Sequence, residues 1–216
     1  MFSITIALIV VTTLISIVAF GNHKVQEDLL FWPAAIRHRN QYYRFITCGF
    51  VHFDVSHLLL NMLSFYAFGE YLELGLFSSS GLFGSNGKLF FLGLYLSAIA
   101  VAVIPDYFIH RRSSEYRSLG ASGAVSAVIF SCILLKPLTP VGIILIPIQI
   151  PGFMFAILFL VISAVLARTS RGTIAHGAHL AGALYGIVYT SIAAKLYADF
   201  NAIKVFIHIL RFDWLQ

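Results

Sequence analysis

Residues 118–127 read SLGASGAVSA, a serine set between two glycines in a run that is otherwise small and apolar. The run opens a longer apolar block, Leu119 to Leu135, and the fold turns on whether such blocks lie in a soluble core or in a membrane. With 59% hydrophobic residues, 11% charged residues and a mean hydropathy of +0.89, the chain of 216 residues carries more apolar surface than a soluble core of that size can bury. The block is therefore read as a membrane helix and the chain as a multi-spanning membrane protein.

Working outward, the apolar residues fall into six blocks of spanning length: Phe2 to Phe20, Leu58 to Leu74, Leu89 to Ile104, Leu119 to Leu135, Gly152 to Ala167 and Ala178 to Ala198. Val141 to Pro151 is also apolar, but prolines at 140, 147 and 151 predict a bent or re-entrant lead-in to the fifth block rather than another helix. The first block has no basic residue ahead of it and exceeds the apolar core of a secretory signal, so it is read as a helix. Cys48 and Cys132 carry no spacing signature, so no disulfide frame or zinc ribbon is implied. With no internal repeat, residues 1–198 are expected to form one all-α bundle of six transmembrane helices, with 199–216 as a short tail. The basic surplus of +5 matches anionic lipid headgroups and calls for no nucleic acid.

Polar residues at hydrocarbon depth are costly unless partnered or functional. Three clusters stand out. HLLLN at the start of the second block stacks His57 and Asn61 at i and i+4 on one helix face. GASG opens the fourth with Ser122, and AHGAHLAG opens the sixth with His176 and His179. Because successive spans alternate direction, the second, fourth and sixth begin on the same side, which gathers all three clusters in one leaflet. Taken singly, each has a structural explanation: a serine bonding back one turn or cementing helices, a His/Asn pair as interhelical glue, a satisfied core histidine.

The surroundings favour chemistry. Gly120 and Gly123 bracket Ser122; Gly123, Ala127 and Ser131 repeat every four residues, as do Ala178, Gly182 and Gly186. Such stripes let two helices approach closely, and close approach is what brings a serine oxygen within about 3 Å of an imidazole. From Ser122 to Pro137 a helix rises only about 22 Å, against a hydrocarbon core of about 30 Å, so the serine is expected below the membrane surface in a polar cavity. The Ser122 amide at a helix N-terminus, with His57 and Asn61, would supply oxyanion donors. Of nine acidic residues only Asp106 and Glu115 precede Ser122 closely, in a predicted loop, and none is expected near His179, so the reading is a Ser/His dyad without a third acid.

On these motifs, HLLLN, GASG and GAHLAGALYG in that order, the chain resembles the rhomboid family of intramembrane serine proteases over nearly its whole length. YYR at 42–44, VHF with His52, and Glu73 beyond Asn61 are weaker supports. The resemblance implies Ser122 as nucleophile, His179 as general base and then acid, and His57, Asn61 and the Ser122 amide as oxyanion contacts. Arg44, His52, Glu73, Gly120, Gly123, Gly182 and Gly186 are implied as structural support, with no cofactor and no metal. It further implies a first loop, Gly21 to Val55, packed in the membrane surface, and a mobile fifth span with the loop Arg168 to Ala175 as gate. The partners implied are substrates with a single transmembrane helix, unwound near the cut because a helix hides its carbonyls in its own hydrogen bonds, and membrane lipids. His176 matches no catalytic position.

The family's six-span bacterial members imply an inner-membrane protein with its active site on the extracytoplasmic side. The basic residues vote otherwise: Lys88, Lys136, Lys195, Lys204 and Arg211 fall on the N-terminal side, and the remaining nine, Arg111, Arg112 and Arg117 among them, on the active-site side. The tail reads as an amphipathic helix, Ala202, Val205, Phe206, Ile209 and Leu210 on one face and Lys204, His208 and Arg211 on the other, lying in the interface. Two other readings are a catalytically inactive relative that binds membrane helices, and a metal-dependent hydrolase using His52, His57, His176 and His179. The second lacks an HExxH helix or clustered carboxylate ligands.

Overall fold

The computed structural model describes residues 3–143, 146–169 and 176–212. Among the described residues each of the six apolar blocks contains a helix. The chain opens with α1 (Ile4–Gly21), then crosses a long first loop that is itself folded into α2 (His23–Leu29), α3 (Pro33–Arg39), α4 (Arg44–Thr47) and a 3-10 turn (Cys48–Phe50). Next come α5 (Val55–Glu70) with a π-helical turn (Tyr71–Phe77), α6 (Gly87–Ala102), the short α7 (Ile104–His110), α8 (Ser122–Leu135), α9 (Gly152–Thr169), α10 (His176–Ala198) and α11 (Ala202–Phe212).

Among the described residues three stretches are long and apolar enough to cross a membrane unaided: Ile4–Gly21, Gly84–His110 and Gly177–Ala198. Arg44–Phe50 with Val55–Phe77 makes a fourth, bent by 94°, while Ser122–Leu135 and Gly152–Ala167 are shorter apolar helices. Fourteen residues of α8 rise about 21 Å, and all but the first are buried. It is the central post, packed on α5, α6, α9, α10 and α11. The outward faces are apolar instead: Val10, Leu14, Leu59, Val161 and Leu184 are each 50% or more exposed, the surface that lipid rather than water would cover.

The proline-rich lead-in to α9 is an antiparallel hairpin, β1 (Pro140–Ile143) and β2 (Ile146–Pro151), with Pro140 opposite Pro151 and Val141 opposite Ile150. Pro140 and Pro151 pair at the outer end of the ribbon, and Pro147 falls where the register is irregular opposite Gly142 and Ile143, both positions at which a missing N–H is tolerated in a strand. At the far end, α11 tucks Ala202 (1% exposed) under the bundle and leaves Ile203 and Ile207 about half exposed.

Candidate active site

The site is built around the turn that delivers Ser122. Phe31 and Ser118 exchange both backbone hydrogen bonds, at 2.9 and 3.1 Å, and the Gly120 amide donates to the Cys48 carbonyl at 2.9 Å. The Ala121 amide then donates to His52 Nε2 at 3.3 Å. The first loop, expected only to lie beside the bundle, thus stitches down the main chain before the serine at three points. Gly120 sits at φ +123°, a conformation that side chains rarely adopt, and a Cβ there would lie 2.7 Å from the His57 ring. Only glycine lets that imidazole rest against the turn.

His52 is fully buried, and its protonation follows from its partners. An amide N–H can only donate, so Nε2 accepts from Ala121. Nδ1 then carries the proton and donates to Ser16 Oγ at 2.9 Å, whose own hydroxyl donates to the Phe50 carbonyl at 3.0 Å. Mid-helix Ser16 of α1 is therefore tied to the turn that delivers Ser122. Nothing in its apolar stretch announced this.

Close helix packing supplies the rest. A Cβ at Gly182 would lie 2.0 Å from the Gly123 carbonyl oxygen, and one at Gly186 would lie 2.2 Å from that of Ala127. The two small-residue stripes therefore bring α8 and α10 into backbone contact. Ser131 and Thr190 close the lower part of the seam at 2.8 Å. At its upper end His179 Nε2 meets Ser122 Oγ at 2.8 Å. His57, Asn61, Ser122 and His179 line one cavity of about 220 Å³, closed on its α9 side by Phe159, whose ring centroid lies 5.9 Å from that of His179.

On α5 the Asp54 carboxylate caps the helix, accepting from the His57 amide at 2.7 Å, and Asn61 Nδ2 donates back to the His57 carbonyl at 2.9 Å. A second cavity, about 570 Å³, opens on the other side of His57 between α2 and the 117–119 segment, with Glu27, Phe53, Asp54 and Arg117 on its walls. A third, of about 20 Å³, lies behind the Ser122 main chain.

Arg44 and Glu73 stand away from this cavity. Arg44, 2% exposed, donates to the Glu27 and Leu30 carbonyls at 2.7 and 2.8 Å and to Gln41 at 2.7 Å, which folds the first loop around it. Glu73, fully buried by the π turn, accepts from the Ile4 and Thr5 amides and the Thr5 hydroxyl, each at 2.8 Å, and so caps α1 from another helix. His176 is the first residue of α10, and its side chain, with most of the loop expected to gate the site, lies outside the described residues. No three His, Cys, Asp or Glu side chains among the described residues are grouped to hold a metal ion.

One expectation is corrected. Asp106, expected in a loop, lies on α7, is 5% exposed, and packs against the first turn of α10. Its Oδ1 is 2.8 Å from where a Cβ of Gly177 would stand. Chain order could not show this, because the contact joins the end of one span to the start of another.

The sequence model of the Rhomboid domain family matches residues 39–196. Among curated proteins the chain is similar to the human presenilin-associated rhomboid-like protein, mitochondrial, with 30% identity over 68% of this chain and 37% of that protein. The zebrafish (Danio rerio) presenilin-associated rhomboid-like protein A, mitochondrial, is 27% identical over 70% of this chain and 37% of its own length. Rhomboid-like protein 11, chloroplastic, of Arabidopsis thaliana is 29% identical over 71% and 53%. The match thus spans well under half the length of the two presenilin-associated relatives. An all-α bundle with lipid-facing apolar helices, matched to the Rhomboid domain over most of its length, makes this chain an integral membrane protein of the rhomboid family, which includes the intramembrane serine proteases.

Proposed function

We propose that this protein is a serine endopeptidase that cuts transmembrane helices, with Ser122 as nucleophile and His179 as its base. The observation that carries the reading is the 2.8 Å separation of His179 Nε2 and Ser122 Oγ, within reach for proton transfer. The imidazole takes the hydroxyl proton as Oγ attacks a substrate carbonyl carbon; the C=O π pair moves onto oxygen. Collapse of the tetrahedral intermediate breaks the C–N bond, and the imidazolium gives its proton to the departing amine. Water, activated by the same nitrogen, then releases the acyl group from Oγ.

We assign the developing oxyanion three donors: the Ser122 amide, His57 and Asn61. As the first residue of α8, Ser122 has an amide without an intrahelical partner, and His57 and Asn61 share its cavity. Leu60 of α5 and Phe159 of α9 flank that cavity on the lipid side, and we assign the α5/α9 edge as the route by which a single substrate helix enters. The scissile stretch must unwind there before its carbonyl is free. The active-site face lies at the end of the membrane opposite the N-terminus of α1. Its extracytoplasmic placement in a bacterial inner membrane rests on the family resemblance alone, and the named relatives are mitochondrial or chloroplastic.

The test is purified protein reconstituted in liposomes with a panel of single-span helices. Ser122→Ala and His179→Ala should each abolish cleavage and labelling by a fluorophosphonate while leaving the thermal unfolding transition in place. Cleavage by Ser122→Ala at the wild-type rate would refute the mechanism. Wild-type protein that cuts nothing and takes no label would move the reading to a non-catalytic binder of membrane helices.

A further inference from the structure

We propose that Asp106 is a positioning residue for His179: its carboxylate seats the first turn of α10 and places a negative charge beside the helix end that carries the imidazole. The proposal rests on the dyad reading above. Two contacts fix the carboxylate, and a ring stack backs one of them. Oδ2 accepts the Tyr116 hydroxyl at 2.8 Å, and the Tyr116 ring lies flat on His110, centroids 3.8 Å apart at an interplanar angle of 3°. Burial and the neighbouring Asp106 push the Tyr116 phenol well above its ordinary range, so it remains a donor. Oδ1 reaches the α10 backbone at Gly177, where a Cβ would stand 2.8 Å away; any larger residue would push helix and carboxylate apart.

Gly177 is two residues before His179 and lies in the same helical turn. On another side of that turn, a Cβ at Gly123 would stand 3.3 Å from the Ala178 carbonyl oxygen. The start of α10 is thus held between α7 and α8, and that grip sets where the imidazole stands relative to Ser122. The charge has its own effect. First-turn amides lack intrahelical acceptors and form the positive end of the helix dipole, which favours a carboxylate beside them. When His179 takes the Ser122 proton it becomes a cation within one turn of Asp106, in a medium that screens poorly. A triad acid does the same by direct contact; here the acid acts across the helix backbone.

Among the described residues, polar and ionisable groups come to His179 from several elements. Ser122 comes from α8, and His57 and Asn61 come from α5. Asp106, with Tyr116 and His110 behind it, comes from the α7 side. On α9 the neighbour is the apolar Phe159. Lys88 of α6 and Lys204, His208 and Arg211 of α11 belong to the elements at the opposite end of α10.

The experiment measures the rate at which a fluorophosphonate phosphonylates Ser122, with loss of fluoride, across the pH range in which imidazoles titrate, using the full chain in liposomes. Asp106→Asn keeps the size of the side chain and an oxygen for Tyr116 but removes the charge. It should label about tenfold more slowly at neutral pH, with the acidic limb of its rate–pH profile moved about one unit toward lower pH and its unfolding temperature unchanged. Tyr116→Phe, which keeps the charge, should retain the wild-type limb. An Asp106→Asn profile that superimposes on the wild type, or a slower rate with an unmoved limb and a lowered unfolding temperature, overturns the proposal. Wild-type protein that takes no label overturns the dyad itself, an outcome distinct from a labelled wild type with an indifferent Asp106.

Discussion

A serine hydroxyl at 2.8 Å from an imidazole is useful only if both are held there, and the single residues that hold them make separable predictions. Gly182 is one. An alanine at this position would drive its Cβ into the Gly123 carbonyl, 2.0 Å away, and neither backbone can yield without parting α8 from α10. A shift of about 1 Å between reacting groups costs roughly 10²-fold, so Gly182→Ala should lose that much turnover in the helix-cleavage assay while its circular dichroism stays helical. Asn61 is proposed above as an oxyanion donor. Asn61→Ala should lower kcat by about 10²- to 10³-fold with little change in KM, as for a donor used only in the transition state. Ser16, remote from the reaction, holds His52 in the tautomer that receives the Ala121 amide. Ser16→Ala leaves a buried N–H unsatisfied and should cost about 1–3 kcal/mol in reversible unfolding.

At the scale of elements, two helix ends are held in contrasting ways. The first turn of α1 is capped by Glu73, which receives the Ile4 and Thr5 amides; Ser3 also reaches both Glu70 and Glu73. Glu73→Ala strands these donors in the bundle and should lower stability by about 2–4 kcal/mol, read as an earlier transition in denaturant. The junction between α10 and α11 shows the opposite case, an exposed pair. Asp199, in the left-handed region at φ +51°, bonds Lys195 one turn back. That hydrogen bond and charge hold its carboxyl below the usual range. A lowered folded value means the pair contributes above the ordinary carboxylate range and ceases to contribute as the pH falls through the lowered one. Asp199→Asn should therefore shift the unfolding temperature slightly at neutral pH and not at all in strong acid. Full exposure and salt screening keep the effect small.

On the scale of the whole molecule, the bundle is organised around a helix too short for the bilayer. Fourteen residues of α8 cover about 21 Å of a core of about 30 Å, so the chain must fill the remaining depth with other elements. Above, the first loop and the 118–121 turn do so; below, the proline hairpin and α11 do. The composition, the six apolar blocks and the three polar clusters were sufficient to read an all-α membrane bundle with Ser122 and His179 on one side, because hydropathy and helical period are local properties of a chain. The glycine stripes even indicated which helices would touch. The tethers from Phe31, Cys48 and His52 to the turn before Ser122, Ser16 as partner of His52, and Asp106 against Gly177 depend instead on how spans and loops distant in sequence come to lie together. No periodicity encodes such contacts: each is a single hydrogen bond or close approach that exists only once the helices have packed, and packing alone chose its partners.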